Sequence, residues 1–211
     1  MRVIYEEELQ QYRRRQEAYD ELQELASCHI AAEDYPRAER CYRRAAVLWP
    51  DRPEPFVGLG VTAMQTGRID EALRAFQTAR LMDSRCAEAW AGTAMIYQER
   101  RKYPQAFEMY LRCLEIDDAN LMALLGLFQT SCQMGTFFKI IHYLERYLES
   151  HPDDQAVLFC LASLYARDGQ PIQAKQALLT VLAQEPGKPE ALDLLREVEE
   201  QLRSDCPKEV A

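Results

Sequence analysis

Residues 87–118 read AEAWAGTAMIYQERRKYPQAFEMYLRCLEIDD, and this stretch decides the architecture. Trp90, Thr93 and Ala94 recur at three- and four-residue steps in its first half, and Ala106 and Tyr110 do so in its second. That spacing predicts two amphipathic helices, each with one buried stripe. A shift of 34 residues brings the rest of the chain into line without a gap, in segments starting at Tyr19, Pro53, Ala87, Leu121 and Gln155. The fourth position is always large and apolar: Leu22, Phe56, Trp90, Leu124 and Leu158. The seventh is Leu25, Leu59, Thr93, Leu127 and Leu161; the eighth is small except at Phe128. The twentieth is Ala38, Ala72, Ala106, Ile140 and Ala174, and the twenty-fourth is Tyr42, Phe76, Tyr110, Leu144 and Leu178. Gly67, Gly135 and Gly169 fall at one common place, where a positive φ ends the first helix. Pro50, Pro152 and Pro186 stop the second.

One helix pair cannot bury both of its faces, so five of them stack as a nearest-neighbour array. The pattern resembles the tetratricopeptide-repeat family over residues 19–188. The resemblance implies an all-α fold, a right-handed α-solenoid of five helix pairs (19–52, 53–86, 87–120, 121–154, 155–188). Residues 189–203 are expected to cap it with Leu192, Leu194, Leu195, Val198 and Leu202 inward, and 204–211 to form a disordered tail. Residues 1–18 are expected to lengthen the first helix, since no Pro or Gly interrupts them; the alternative is a separate arm with Val3, Ile4, Tyr5 and Leu9 as an apolar face. In the fourth pair, Phe128 and Ile140 stand where small residues let helices touch, which predicts looser packing there.

Composition narrows the classes. The chain has 211 residues, 48% of them hydrophobic and 28% charged, with a net charge of −9, so it has ample material for a core and no basic block. An acidic chain of this kind is a poor nucleic-acid binder, since phosphate binding needs Lys and Arg to displace counterions. No apolar run of membrane-spanning length occurs, which excludes direct membrane insertion by a helix. The acids Glu6, Glu7 and Glu8 are the reverse of a secretory leader. Seven scattered cysteines, never in a C-x-x-C pair, read as reduced thiols in the cytoplasm, with Cys206 as the one most open to crosslinking.

By the resemblance, the first helix of each pair lines a concave face, through its second, fifth, ninth, twelfth and thirteenth positions. These carry one Arg and no Lys or Asn, which argues against capture of a terminal carboxylate. The expected site is a partner-binding groove: Val57, Val61, Met64, Ala91, Met95, Met122, Leu125, Gln129 and Phe159. Methionines adapt to varied shapes, and an exposed apolar strip marks a partner surface. Three apolar anchors, fully buried, contribute roughly 5–9 kcal/mol before ordering costs, enough for micromolar binding.

No catalytic constellation emerges, and no metal or cofactor is expected. Gly58-Leu59-Gly60 lacks a preceding strand, and the period puts it inside a helix. Asp117-Asp118 and Asp153-Asp154 sit at turns where Asp caps the following helix. His29, His142 and His151 share no face with a nucleophile or ligand set, and the basic clusters at Arg13-Arg14-Arg15, Arg43-Arg44 and Arg100-Arg101-Lys102 lie among acids. The expected function is a non-catalytic scaffold or adaptor that binds an apolar peptide or helix of another protein. Two alternatives stand beside it. One is a client-holding chaperone like the tetratricopeptide-repeat chaperones of type III secretion. The other is a self-assembling homo-oligomeric scaffold similar to magnetosome-organising members of the family.

Overall fold

The computed structural model describes residues 2–204; among these are eleven helices and no strand. They are α1 (Arg2–Ala31), α2 (Tyr35–Leu48), α3 (Glu54–Gln65), α4 (Ile69–Met82), α5 (Ala87–Glu99) and α6 (Tyr103–Ile116). After them come α7 (Leu121–Met134), α8 (Phe138–Ser150), α9 (Gln155–Arg167), α10 (Pro171–Gln184) and α11 (Pro189–Ser204). The all-α fold of five helix pairs with one further helix is therefore what the chain adopts. The helices group into two compact units that divide between Ile116 and Asp117. The side chains of Val3, Ile4 and Tyr5, and the tail from Asp205 onward with Cys206, lie outside the described residues.

In the first unit, α1/α2, α3/α4 and α5/α6 are hairpins, and α2 packs on α3 and α4 on α5. Small residues set how closely they approach: Ala38, Ala72 and Ala106 are fully buried. The aromatic at the twenty-fourth position fills the space this leaves. Phe76 is fully buried among Ala63, Ala72, Ala79, Ala89 and Ile96. Its ring lies against the backbone of both Gly60 and Gly92, where a Cβ would stand 2.6 and 2.4 Å from ring carbons. Tyr42 lies in the same way against Gly58.

Helix α1 runs unbroken for 30 residues, about 45 Å at 1.5 Å per residue. Its middle is held by the turn after α2. Tyr12 meets Trp49 edge-on at 5.2 Å, Arg15 donates to the Leu48 carbonyl, and the Arg15 guanidinium lies 4.4 Å from the Trp49 ring centre.

In the second unit α7 to α11 pack sequentially, with Leu124, Leu127, Ile140, Leu144, Leu164 and Leu178 fully buried. The α7/α8 hairpin makes the thinnest contact of the five hairpins. Ile140 occupies the place where the other pairs have alanine, and its bulk holds the two backbones apart. Asn120 caps α7 by accepting from the Ala123 N–H, and Asp154 caps α9 by accepting from those of Ala156 and Val157. Asp118 instead pairs with Arg146 at 2.8 Å. Helix α11 lies on α10 and α9 and buries Ala191 and Val198.

The turn inside each hairpin needs a left-handed residue, and the requirement belongs to the backbone rather than to glycine. Gly67, Gly135 and Gly169 have φ near +70°, and at the equivalent places Glu33 and Arg101 adopt φ of 57°. A side chain there costs about 1 kcal/mol from Cβ crowding, partly offset by the smaller unfolded-state entropy of a non-glycine residue. Arg101→Gly is thus expected to stabilise the first unit by up to about 1 kcal/mol in urea unfolding, and Gly67→Ala to destabilise it by a similar amount. Equal midpoints for Arg101→Gly and the parent would show that the turn is unstrained.

Candidate functional site

The first unit carries a cleft of about 600 Å³ between the inner faces of α1 and α3. Val57 and Val61 of α3 form part of its wall, with Ile30 of α1 and Tyr42 of α2. They stand there because residues four apart on a helix share a face, and their inner sides pack on the Phe76 cluster while their outer sides stay open. The remaining wall is polar: Tyr19, Asp20, Gln23 and Ser27 from α1, Arg52 from the turn before α3, and Glu54 from its first turn.

These polar groups are tied together. Gln23 Nε2 donates to the Tyr19 hydroxyl at 2.9 Å, and that hydroxyl donates to Glu54 Oε2 at 3.2 Å. Burial first, and then the Glu54 carboxylate, push the Tyr19 phenol above its ordinary pKa, so it remains a donor. The Arg52 guanidinium lies 4.7 Å from the Tyr19 ring centre and donates to Gln16 Oε1 at 2.7 Å. The guanidinium is held in place by ring and amide rather than by a close carboxylate, and it faces a site that also contains Asp20 and Glu54.

The other expected groove residues are distributed less simply. Met64 and Met95 are half-buried, and Met64 packs on the Phe76 cluster. Ala91 is buried at 7% exposure and offers a partner only a small patch. In the second unit, Met122 is exposed on α7 at 56%, Leu125 is half-buried, and Gln129 is exposed. Phe159 on α9 packs into the cluster around Leu178 and Val198, with Lys188 Nζ 5.7 Å from its ring centre. Val57 and Val61 thus line the cleft, while Phe159 packs into its own core beside Lys188. Tyr19 and Arg52 are the cleft residues that periodicity does not point to. Tyr19 opens its segment ahead of the inner positions, and Arg52 precedes the helix altogether.

Tyr147 stacks on His151 at 4.4 Å, and His142 meets Tyr143 edge-on at 6.0 Å. Among the described residues no three His, Cys, Asp or Glu side chains come together as a metal would require, and no helix is long and apolar enough to cross a membrane. Burial raises the Cys86 and Cys160 thiols to about 11, which keeps both protonated and poorly nucleophilic near neutrality.

Stacked helix hairpins of this kind define a helical-repeat protein. The tetratricopeptide-repeat family model matches residues 24–72 and 57–120, which therefore carry tetratricopeptide repeats. It is 25% identical over 137 residues to anaphase-promoting complex subunit 3 of Schizosaccharomyces pombe, which covers 65% of this chain but only 21% of that protein. The chain therefore spans about a fifth of that curated relative's length. Among solved structures, Pseudomonas aeruginosa pilF superposes with a TM-score of 0.69 at 20% identity, covering 92% of this chain and 94% of the other. YrrB, described as a tetratricopeptide-repeat protein with an unusual peptide-binding site, gives a TM-score of 0.69 at 19% identity, covering 78% and 84%. At these identities the structural likeness concerns the fold.

Proposed function

We propose that the chain is a non-catalytic adaptor that holds a segment of another protein in the cleft between α1 and α3. The observation that carries this reading is the cleft's composition: an apolar floor of Ile30, Val57 and Val61 beneath a rim of Asp20, Gln23, Arg52 and Glu54. A floor of that kind takes one or two aliphatic or aromatic anchors, and the rim pairs with the backbone and polar side chains beside them. Met64 and Met95 extend the apolar part within the first unit, and on the second unit Met122, Leu125, Gln129 and Phe159 are proposed as a separate contact surface. The subunit of a multi-protein complex and the peptide-binding repeat protein found as relatives support a protein partner. Six cysteines outside any disulfide among the described residues support a cytoplasmic setting.

Affinity capture from a native lysate, read by mass spectrometry, tests the site with Val57→Glu/Val61→Glu as the comparison. Both side chains are half-buried, and a carboxylate at each abolishes apolar contact and places charge where the anchor sits. A roughly hundredfold loss of affinity for the captured partner is expected, from about 1.5 kcal/mol or more per anchor contact. Circular dichroism must show intact helices. Equal recovery by parent and folded variant would reject the cleft. A client-holding chaperone would release its catch once the client folds, whereas an adaptor keeps it.

A further inference from the structure

The outer side of the α1/α2 hairpin, turned away from α3, is a second and separate surface. It forms a trough of about 570 Å³ whose centre is Ala18, Leu22, Leu25, Val47 and Leu48. No helix of the described residues lies over it: Leu25 is 51% exposed and Val47 77%. Leu25 belongs to the periodic apolar stripe, so its exposure marks an uncovered packing face. Elsewhere in the first unit, the corresponding face of a hairpin is covered by the hairpin before it.

Charge says what fits. On the α1 side the charged residue lining the trough is exposed Glu21, while the α2 side contributes exposed Arg43 and Arg44. Arg43 is engaged by Glu39 on its own helix, but Glu21 and Arg44 line the trough without an ion pair between them. The face is acidic along one helix and basic along the other, and therefore complementary to itself. A two-fold axis parallel to the helices lays α1 of one copy over α2 of the next at the same height. That sets Glu21 against Arg44 twice and closes Leu25 and Val47 into one apolar seam. We propose that this face joins two copies of the chain in an isologous dimer, leaving the α1/α3 cleft of each copy open.

Light scattering and sedimentation of the full chain test this directly. The wild type is expected to be a dimer that dissociates on dilution. Leu25→Glu/Val47→Glu should be a monomer with unchanged helical content, since both side chains are exposed. Glu21→Arg and Arg44→Glu singly should each weaken association by about tenfold, because each sets like charges together at two symmetric places. The double variant Glu21→Arg/Arg44→Glu should regain dimerisation, because the reversed pairs attract again. A wild type that stays monomeric at high micromolar concentration overturns the proposal, as does a double variant weaker than either single one. The cleft variant Val57→Glu/Val61→Glu should still dimerise, and the Leu25→Glu/Val47→Glu monomer should still capture the cleft's partner, so the two sites fail independently.

Discussion

Phe76→Ala is expected to destabilise the first unit by about 4 kcal/mol, near the upper end for loss of a buried ring. The reason is what surrounds it. Most of the buried residues around it are alanines, with backbone glycine on two sides, and short side chains on packed helices collapse poorly into the space a ring vacates. The complementary change, Gly92→Ala, tests the same contact from the other side. Alanine gains about 1 kcal/mol of helix propensity over glycine in the middle of α5. Against that, its Cβ would stand 2.4 Å from Phe76 Cζ, and the ring is itself pressed on Gly60 and has no free direction to move. Overpacking of this sort costs about 1–3 kcal/mol, occasionally more, so a net loss of about 1–2 kcal/mol is expected in spite of the better propensity. In a Phe76→Leu background the penalty for Gly92→Ala should shrink, giving a coupling free energy whose sign only contact between the two sites can produce. Urea unfolding followed by circular dichroism measures all three. Additive effects, or a Gly92→Ala variant as stable as the parent, would mean that ring and glycine do not touch.

Much of this was legible in the residues. The 34-residue period predicts a helix pair in each of five segments, and the described residues hold five such pairs. Period and propensity are local properties, and they recover what local physics determines. They do not record whether a second element lies over a stripe. Leu25 occupies the same position as buried Leu127 and Leu161, yet it is half-exposed because nothing in the described chain packs there. Nor do they weigh a non-local neighbour. Lys188, 29 residues beyond Phe159, comes from the turn before α11 and closes over that ring. Arg52 belongs to no periodic position, so its place over Tyr19 depends on the path of the turn after α2. The turn residues show the converse limit. Three glycines point to a left-handed residue, but Glu33 and Arg101 adopt the same conformation with no signal in their side chains, because stacking imposes it.

The other large effect concerns α11. Deleting residues 189–204 should abolish cooperative unfolding of the second unit and leave it aggregation-prone. Val198 and Ala191 are fully buried against α10, and Leu194, Leu195 and Leu202 pack beside them; their removal would open Ala174, Ala177, Leu178 and Val181 to water. A fully buried Val or Leu contributes roughly 1.5–3 kcal/mol, and losing one such contact together with several partial ones approaches the whole stability of a small domain, about 5–15 kcal/mol. A truncation can fail for trivial reasons, so Val198→Asp supplies the same test in the full chain. A carboxylate at a position 1% exposed among apolar side chains must either be hydrated, which opens the α10/α11 contact, or stay protonated. The salt link at the rim gives the contrast. Lys175 donates to Glu199 at 2.7 Å, but the pair is open to solvent, so Glu199→Ala should leave the unfolding midpoint almost unchanged. If Val198→Asp were as stable as Glu199→Ala, α11 would be an appendage, and the second unit would have to hold its apolar end against water by other means.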